Sequence, residues 1–185
     1  GIEAATHGHD VVMSPGHTLY LDFLQTDLPG EPPGRPKFTP MQKIYAFDPV
    51  PAELTAEQAR HVLGVQANVW TEHMRLFERV QHNVFPRMAA LAEIAWTPLP
   101  RKDYGDFLQR LPSQLARYRA LDIPYAQTAL SVAIERQDDR TAGTVDVALS
   151  NPLGYTDIRY TTDGSEPTAA STPYRERLSL PVPTT

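Results

Sequence analysis

Two pairs of side chains have the types and spacing to do chemistry together: Tyr20 with Asp22, and Trp70 with Glu72. Each is a ring followed two residues later by a carboxylate. In extended backbone that separation puts both groups on one face. A phenol or indole presents a flat apolar surface to C–H groups, while a carboxylate accepts hydroxyl protons, and a sugar ring needs both. The second pair lies in the stretch from Gly64 to His73, where Val65, Ala67 and Val69 alternate with Gln66, Asn68, Trp70 and Glu72. That is the period of a β-strand with one apolar and one polar face. A polar face of this kind lines either a pocket or bulk solvent. The edge strand wetted by water stays open as the alternative, and a second ring–acid pair in the same chain counts against it.

The elements that must hold these groups can be read in order. His9 to Pro15 reads as a short buried strand stopped by Pro15. His17 to Phe23 reads as extended chain, with Leu19, Leu21 and Phe23 on one side and Tyr20 and Asp22 on the other. From Gln25 to Pro51, proline and glycine predict a long loop with one helical piece at 40–46. Thr55 and Gln58 have the form of a capping box, which predicts a helix over 56–63 closed by Gly64. A short helix is expected within 73–82. Pro86 opens the next, whose Met88, Leu91, Ala92, Ala95 and Trp96 recur at helical spacing and place Trp96 in the core. Asp103 caps an amphipathic helix carrying Tyr104, Phe107, Leu108, Leu111, Leu115 and Tyr118, with a bend or break expected at Pro112.

Beyond about Tyr125 helical periodicity gives way to alternating runs at 129–135, 144–149 and 157–162, which predict a second, all-β domain. Asp163-Gly164 is expected to turn a tight hairpin. The run from Leu178 ends without a closing element, as a truncated domain would.

Composition bounds the partners. The chain has 185 residues, 41% hydrophobic and 21% charged, with net charge −5 and the two signs interspersed. This argues against nucleic acid and against anionic membranes. With no cysteine, neither disulfides nor thiolate metal sites can staple it. No apolar run approaches the ~20 residues of a membrane span, and the first residues lack the order of a secretion signal. His7, His9 and His17 have no recognised zinc spacing and read as loop histidines.

Several of these motifs, taken in order, resemble one family. Ser14-Pro15, Tyr20-Leu21-Asp22, Gly64 to Glu72 and Pro86 to Trp96 are similar to the end of the catalytic barrel of family 20 glycoside hydrolases, the β-N-acetylhexosaminidases. Tyr160 to Thr168 resembles the small β-sandwich domain that follows the barrel in bacterial chitobiases and hexosaminidases. The resemblance implies an α/β plus all-β chain. Residues 1–123 would be the last two βα units of a TIM (β/α)8 barrel, and 124–185 a small β-sandwich domain.

The family's reaction is retaining and substrate-assisted: the 2-acetamido oxygen attacks its own anomeric carbon, helped by an adjacent Asp-Glu pair. No Asp-Glu dipeptide occurs in this sequence. The resemblance therefore implies a chain that supplies the −1 subsite wall, inactive alone and completed by an N-terminal part of the same enzyme. Tyr20 would orient the acetamido carbonyl, Asp22 and Glu72 would accept sugar hydroxyls at O6 and O4, and Trp70 would close the pocket around the acetamido methyl. The substrates implied are N-acetylglucosamine or N-acetylgalactosamine glycosides and chito-oligosaccharides, with no cofactor, no metal, and a periplasmic or secreted location.

Two other classes of function remain in view. A carbohydrate-binding module would need exposed aromatics, for which Tyr155, Tyr160 and Tyr174 are the candidates, although they read as core or interface. A free-standing non-catalytic protein would leave open sheet edges. Arg87, beside Pro86, is expected at strand-end carboxylates or the barrel rim.

Overall fold

A computed structural model describes residues 1–139 and 141–181. Contacts divide the chain into two compact units, Gly1–Thr128 and Ala129–Thr185. The first unit runs α1 (Ile2–Thr6), β1 (Val11–Met13), α2 (Gly16–Leu19), β2 (Phe23–Leu24), β3 (Arg35–Phe38), α3 (Met41–Ala46), a 3-10 turn at Gln58–His61, β4 (Val62–Val65), α4 (Phe77–Val84), α5 (Arg87–Trp96) and α6 (Tyr104–Ala120). Strands β1 and β4 pair in parallel, as do β2 and β3. This is strand-helix-strand-helix order with adjacent parallel strands, the local grammar of an α/β barrel.

The core lies between helices α3, α5 and α6 and the chain that follows β1. Leu19 and Leu21 are fully buried and Phe23 nearly so, as their alternation predicts, while Met41, Ile44, Ile94, Phe107 and Leu111 close over them. Aromatic contacts knit the helices: Tyr45 meets Phe107 at 5.1 Å between ring centroids and Phe85 meets Tyr118 at 4.7 Å. Asp103 caps α6 as expected, its carboxylate accepting the Asp106 N–H at 2.9 Å. The five residues of α6 that are buried are all among the six predicted.

Several expectations need correcting. Residues 17–23 are not uniformly extended, because Pro15 initiates the helical turn α2 before the chain straightens at Tyr20. The capping box forms, with Gln58 Oε1 accepting the Thr55 N–H at 2.9 Å and Thr55 Oγ1 the Gln58 N–H at 3.3 Å. It caps only the 3-10 turn, since strand pairing with β1 captures the chain from Val62 and leaves Gly64 inside β4. Strand β1 is not buried, Val12 being 51% exposed.

Helix α6 passes through Pro112 unbroken, held by the apolar face on either side of it. In α5 the buried face is Arg87, Ala90 and Ile94, and Trp96, about 200° round the helix from Ile94, is 88% exposed rather than core. The buried face is thus rotated away from the expected stripe of Met88, Leu91, Ala92, Ala95 and Trp96, and it includes an arginine that no hydrophobic pattern would place there.

The second unit holds an antiparallel sheet ordered β5 (Ala133–Asp139), β6 (Thr144–Ser150), β9 (Leu178–Pro181), with β7 (Arg159–Tyr160) paired to β8 (Thr172–Pro173). The tight hairpin at Asp163-Gly164 does not form. The Asp163 carboxylate instead accepts the Ser165 N–H and hydroxyl at 3.0 and 2.6 Å, an Asx turn inside the longer β7–β8 connection. Tyr155, Tyr160 and Tyr174 are half-buried. The end of the predicted tail, residues 182–185, lies outside the described residues.

Candidate sugar-binding site

Regular pairing between β1 and β4 ends at Met13 and Val65, but the two chains continue side by side. Leu21 donates its N–H to the Asn68 carbonyl at 2.8 Å, and Asn68 donates to the Leu19 carbonyl at 3.0 Å. Tyr20 and Asn68 are thus bridged in parallel. Asn68 Nδ2 reaches Ser14 Oγ at 2.7 Å, and Gln66 Nε2 reaches Asn68 Oδ1 at 2.8 Å, so side chains tie the same strand ends together. This bridge brings the two rings, Tyr20 and Trp70, into neighbouring positions.

The rings meet: Tyr20 and Trp70 lie 6.1 Å apart between centroids, tilted by 54°. Tyr20 also stacks on Phe23 at 6.3 Å. Trp70 keeps 48% of its surface exposed, so its indole borders open space beyond Tyr20. Among the described residues neither the Tyr20 hydroxyl nor the Glu72 carboxylate has a hydrogen-bond partner, which leaves both available to a ligand. Glu72 lines a depression of about 440 Å³ with Gly34, His73, Arg75 and Arg79. Asp22 is different. Its side chain is 2% exposed, Oδ2 accepts from Arg35 Nη1 at 2.9 Å, and Oδ1 is buried with no partner.

The backbone between Tyr20 and Asp22 is clamped from beneath. Arg87, fully buried at the start of α5, donates to the carbonyls of Leu21 at 2.5 Å, Thr39 at 2.8 Å and Asn83 at 2.5 Å. Asn83 Nδ2 adds a second bond to the Leu21 carbonyl at 3.0 Å. Burial pushes the Arg87 guanidinium down to about 9, while Glu31 and Asp22 pull the other way, so it stays charged at neutral pH. Arg87 therefore meets carbonyls, not the carboxylates or rim expected from its place beside Pro86.

The loop between β2 and β3 is pinned by Glu31, whose side chain is 4% exposed. It accepts from the Gln25 N–H at 3.2 Å and from the Thr128 hydroxyl, and sits 3.5 Å from His82 Nε2. Burial alone would raise its carboxyl, but the nearby His82 imidazole and the hydrogen bonds from Thr128 and Gln25 outweigh that and hold it below the usual glutamate value. A carboxyl depressed by folding adds stability above the unfolded-state value and loses it as pH falls through the folded-state value. Glu31→Gln should therefore be less stable than the wild type at pH 7, with the gap narrowing as pH falls below about 4.3. Denaturant titrations at stepped pH measure it, and a gap independent of pH would refute the assignment.

Sequence reasoning missed Arg35, Glu31, His82 and Asn83. Only Asn83 and Arg87 left a trace, at a spacing of four on consecutive helices. Among the described residues no three His, Asp or Glu side chains gather into a metal-binding group, and His7 bonds the Glu3 carbonyl of its own helix. No described helix is long and apolar enough to cross a membrane.

Comparison with known proteins identifies the family. Residues 1–99 match glycosyl hydrolase family 20, catalytic domain, and residues 139–185 match the chitobiase/beta-hexosaminidase C-terminal domain. A beta-hexosaminidase of Porphyromonas gingivalis is 38% identical over 97% of this chain, which spans 23% of that protein. A beta-N-acetylhexosaminidase of Cellulomonas fimi is 35% identical over 60% of the chain and 22% of its own length.

Among solved structures, the GH20 exo beta-N-acetylglucosaminidase of Vibrio harveyi in complex with N-acetylglucosamine superposes with a TM-score of 0.61 at 32% identity, over 67% of this chain and 20% of that one. The GH20 beta-N-acetylhexosaminidase of Streptomyces coelicolor gives 0.59 at 28%, over 68% and 25%. The chain thus spans about a quarter or less of the relatives it matches. With parallel strand ends bridged at Tyr20 and Asn68, and both of its regions matched in order, the chain belongs to glycosyl hydrolase family 20.

Proposed function

We propose that this chain is part of a β-N-acetylhexosaminidase that removes terminal non-reducing N-acetylhexosamine residues by a retaining, substrate-assisted mechanism. Residues 1–123 supply the last two βα units of the barrel and 124–185 the β-sandwich domain. The chain forms one wall of the −1 subsite, and the Asp-Glu pair absent from its sequence comes from the preceding part of the barrel.

The observation that carries this reading is the Tyr20–Trp70 ring pair, set 6.1 Å apart by the parallel bridge at Asn68. In the proposed mechanism the sugar's own acetamido oxygen attacks the anomeric carbon as the aglycone leaves with a proton from the absent acid. Tyr20 donates its hydroxyl to the acetamido group and holds it in line for attack, with Trp70 walling the acetamido methyl. Asp22 and Glu72 accept hydroxyls on the other side of the ring. An unpaired buried carboxylate makes a sugar lacking its hydroxyl a poor ligand.

Isothermal titration with the N-acetylglucosamine thiazoline tests the division of labour. The complete enzyme should bind it and this chain alone should not, because one wall leaves most of the sugar in water. Tight binding by the isolated chain would point instead to a free-standing sugar-binding module.

A further inference from the structure

Asp22 is an incomplete recognition group, and its completion points to a residue that no motif includes. One oxygen, Oδ2, is bonded to Arg35, while the other, Oδ1, is buried with no donor. A buried carboxylate oxygen without a partner is costly unless a ligand supplies one. Arg35 is held in place by backbone. In the parallel β2–β3 pair it stands in register with Phe23, the residue after Asp22, and its guanidinium carbon lies 5.0 Å over the Phe23 ring.

The loop that delivers Arg35 is fastened before the strand begins. Glu31 anchors it to Gln25 and Thr128, and Arg79 Nη2 donates to the Pro32 carbonyl at 2.9 Å. Gly34 leaves room for that approach: a Cβ there would sit 3.0 Å from Arg79 Nη2 and 2.9 Å from the Leu24 side-chain tip, so both flexible ends would have to shift. Arg35 itself keeps 45% of its side chain exposed, so the guanidinium has one edge on Asp22 and another in the open.

We propose that Arg35 is a specificity-determining residue: it fixes the Asp22 carboxylate so that Oδ1 alone is offered to ligand, and it adds a donor beside that acceptor. A hydroxyl both donates and accepts, so the pair reads a hydroxyl and rejects its replacement by hydrogen. Lys37 lies over the same Phe23 ring at 5.5 Å but has no bond to Asp22, and serves as the matched control. The inference rests on the proposed hexosaminidase reading, in which Asp22 faces the sugar.

The test uses the complete enzyme carrying this chain and compares kcat/KM for an N-acetylglucosaminide with its 4-deoxy and 6-deoxy analogues. The wild type should favour the parent over each analogue by about 10- to 100-fold. Asp22→Asn should abolish the preference at one position and thereby identify the hydroxyl Asp22 reads. Arg35→Gln should cut the preference at that same position by at least about fivefold and spare the other, and Lys37→Ala should keep both. A general loss of packing would scale all three substrates together and move neither ratio. Should Arg35→Gln keep both preferences while Asp22→Asn loses one, the role of Arg35 falls and the site reading stands. Should Asp22→Asn keep both, the reading of Asp22 falls as well.

Discussion

Replacing Arg87 by methionine should destabilise the protein by about 3–5 kcal/mol, more than any other single change to the first unit outside its apolar core. The side chain is fully buried and among the largest so placed, and its guanidinium satisfies carbonyls from three segments: Leu21 before Asp22, Thr39 after β3, and Asn83 in α4. Methionine keeps much of the apolar stem, so packing loss is small. What it removes is the donors, leaving the Thr39 and Asn83 carbonyls buried without them. The Leu21 carbonyl keeps the Asn83 amide at 3.0 Å, which caps the penalty.

Arg87→Lys keeps the charge but a single ammonium cannot reach all three acceptors, and should fall between the two. Denaturant midpoints for the three proteins give the comparison. A loss below about 1 kcal/mol in Arg87→Met would mean that the carbonyls relax to other donors, and that the clamp is not what orders Leu21.

The contrast between Arg87 and Tyr20 shows which parts of the site can be read without coordinates. The neighbourhood of Tyr20 and Trp70 is legible because each ring lies within a few residues of the Tyr20–Asn68 bridge, where alternation reports which groups share a face. Helix α6 is legible for the same reason, its 3.6-residue stripe being long and its cap at Asp103 local. Arg87 is not, because it occupies a buried helix position with a charge. Hydrophobic patterning then shifts the apparent apolar stripe of α5 onto Ala92 and Trp96, which the structure exposes.

Arg35 is hidden for another reason. It lies thirteen residues after Asp22, beyond a loop with neither helical nor strand period, and only the β2–β3 register brings the two together. The short strands were misjudged at their ends because pairing partners, not intrinsic preference, decide where β4 begins and the turn at Gln58–His61 stops.

Tyr20→Phe in the complete enzyme should lower kcat by about 100- to 1,000-fold while KM moves far less. The substitution is unusually clean here. Phenylalanine keeps the ring contacts with Trp70 at 6.1 Å and Phe23 at 6.3 Å, so the wall retains its shape. The hydroxyl has no hydrogen-bond partner among the described residues, so its removal breaks nothing within the chain and the melting temperature should hold. In the proposed mechanism the lost interaction is with the acetamido group as it attacks, when charge spreads over that group, and a donor aimed at developing charge is worth more in the transition state than in the ground state. Steady-state kinetics on an N-acetylglucosaminide, with the thiazoline as inhibitor, separate the two. The variant should bind the thiazoline more weakly in rough proportion to its loss of kcat, because that ligand resembles the cyclised intermediate. An unchanged kcat would remove Tyr20 from the reaction, and an equal rise in KM with kcat intact would reduce it to a ground-state contact.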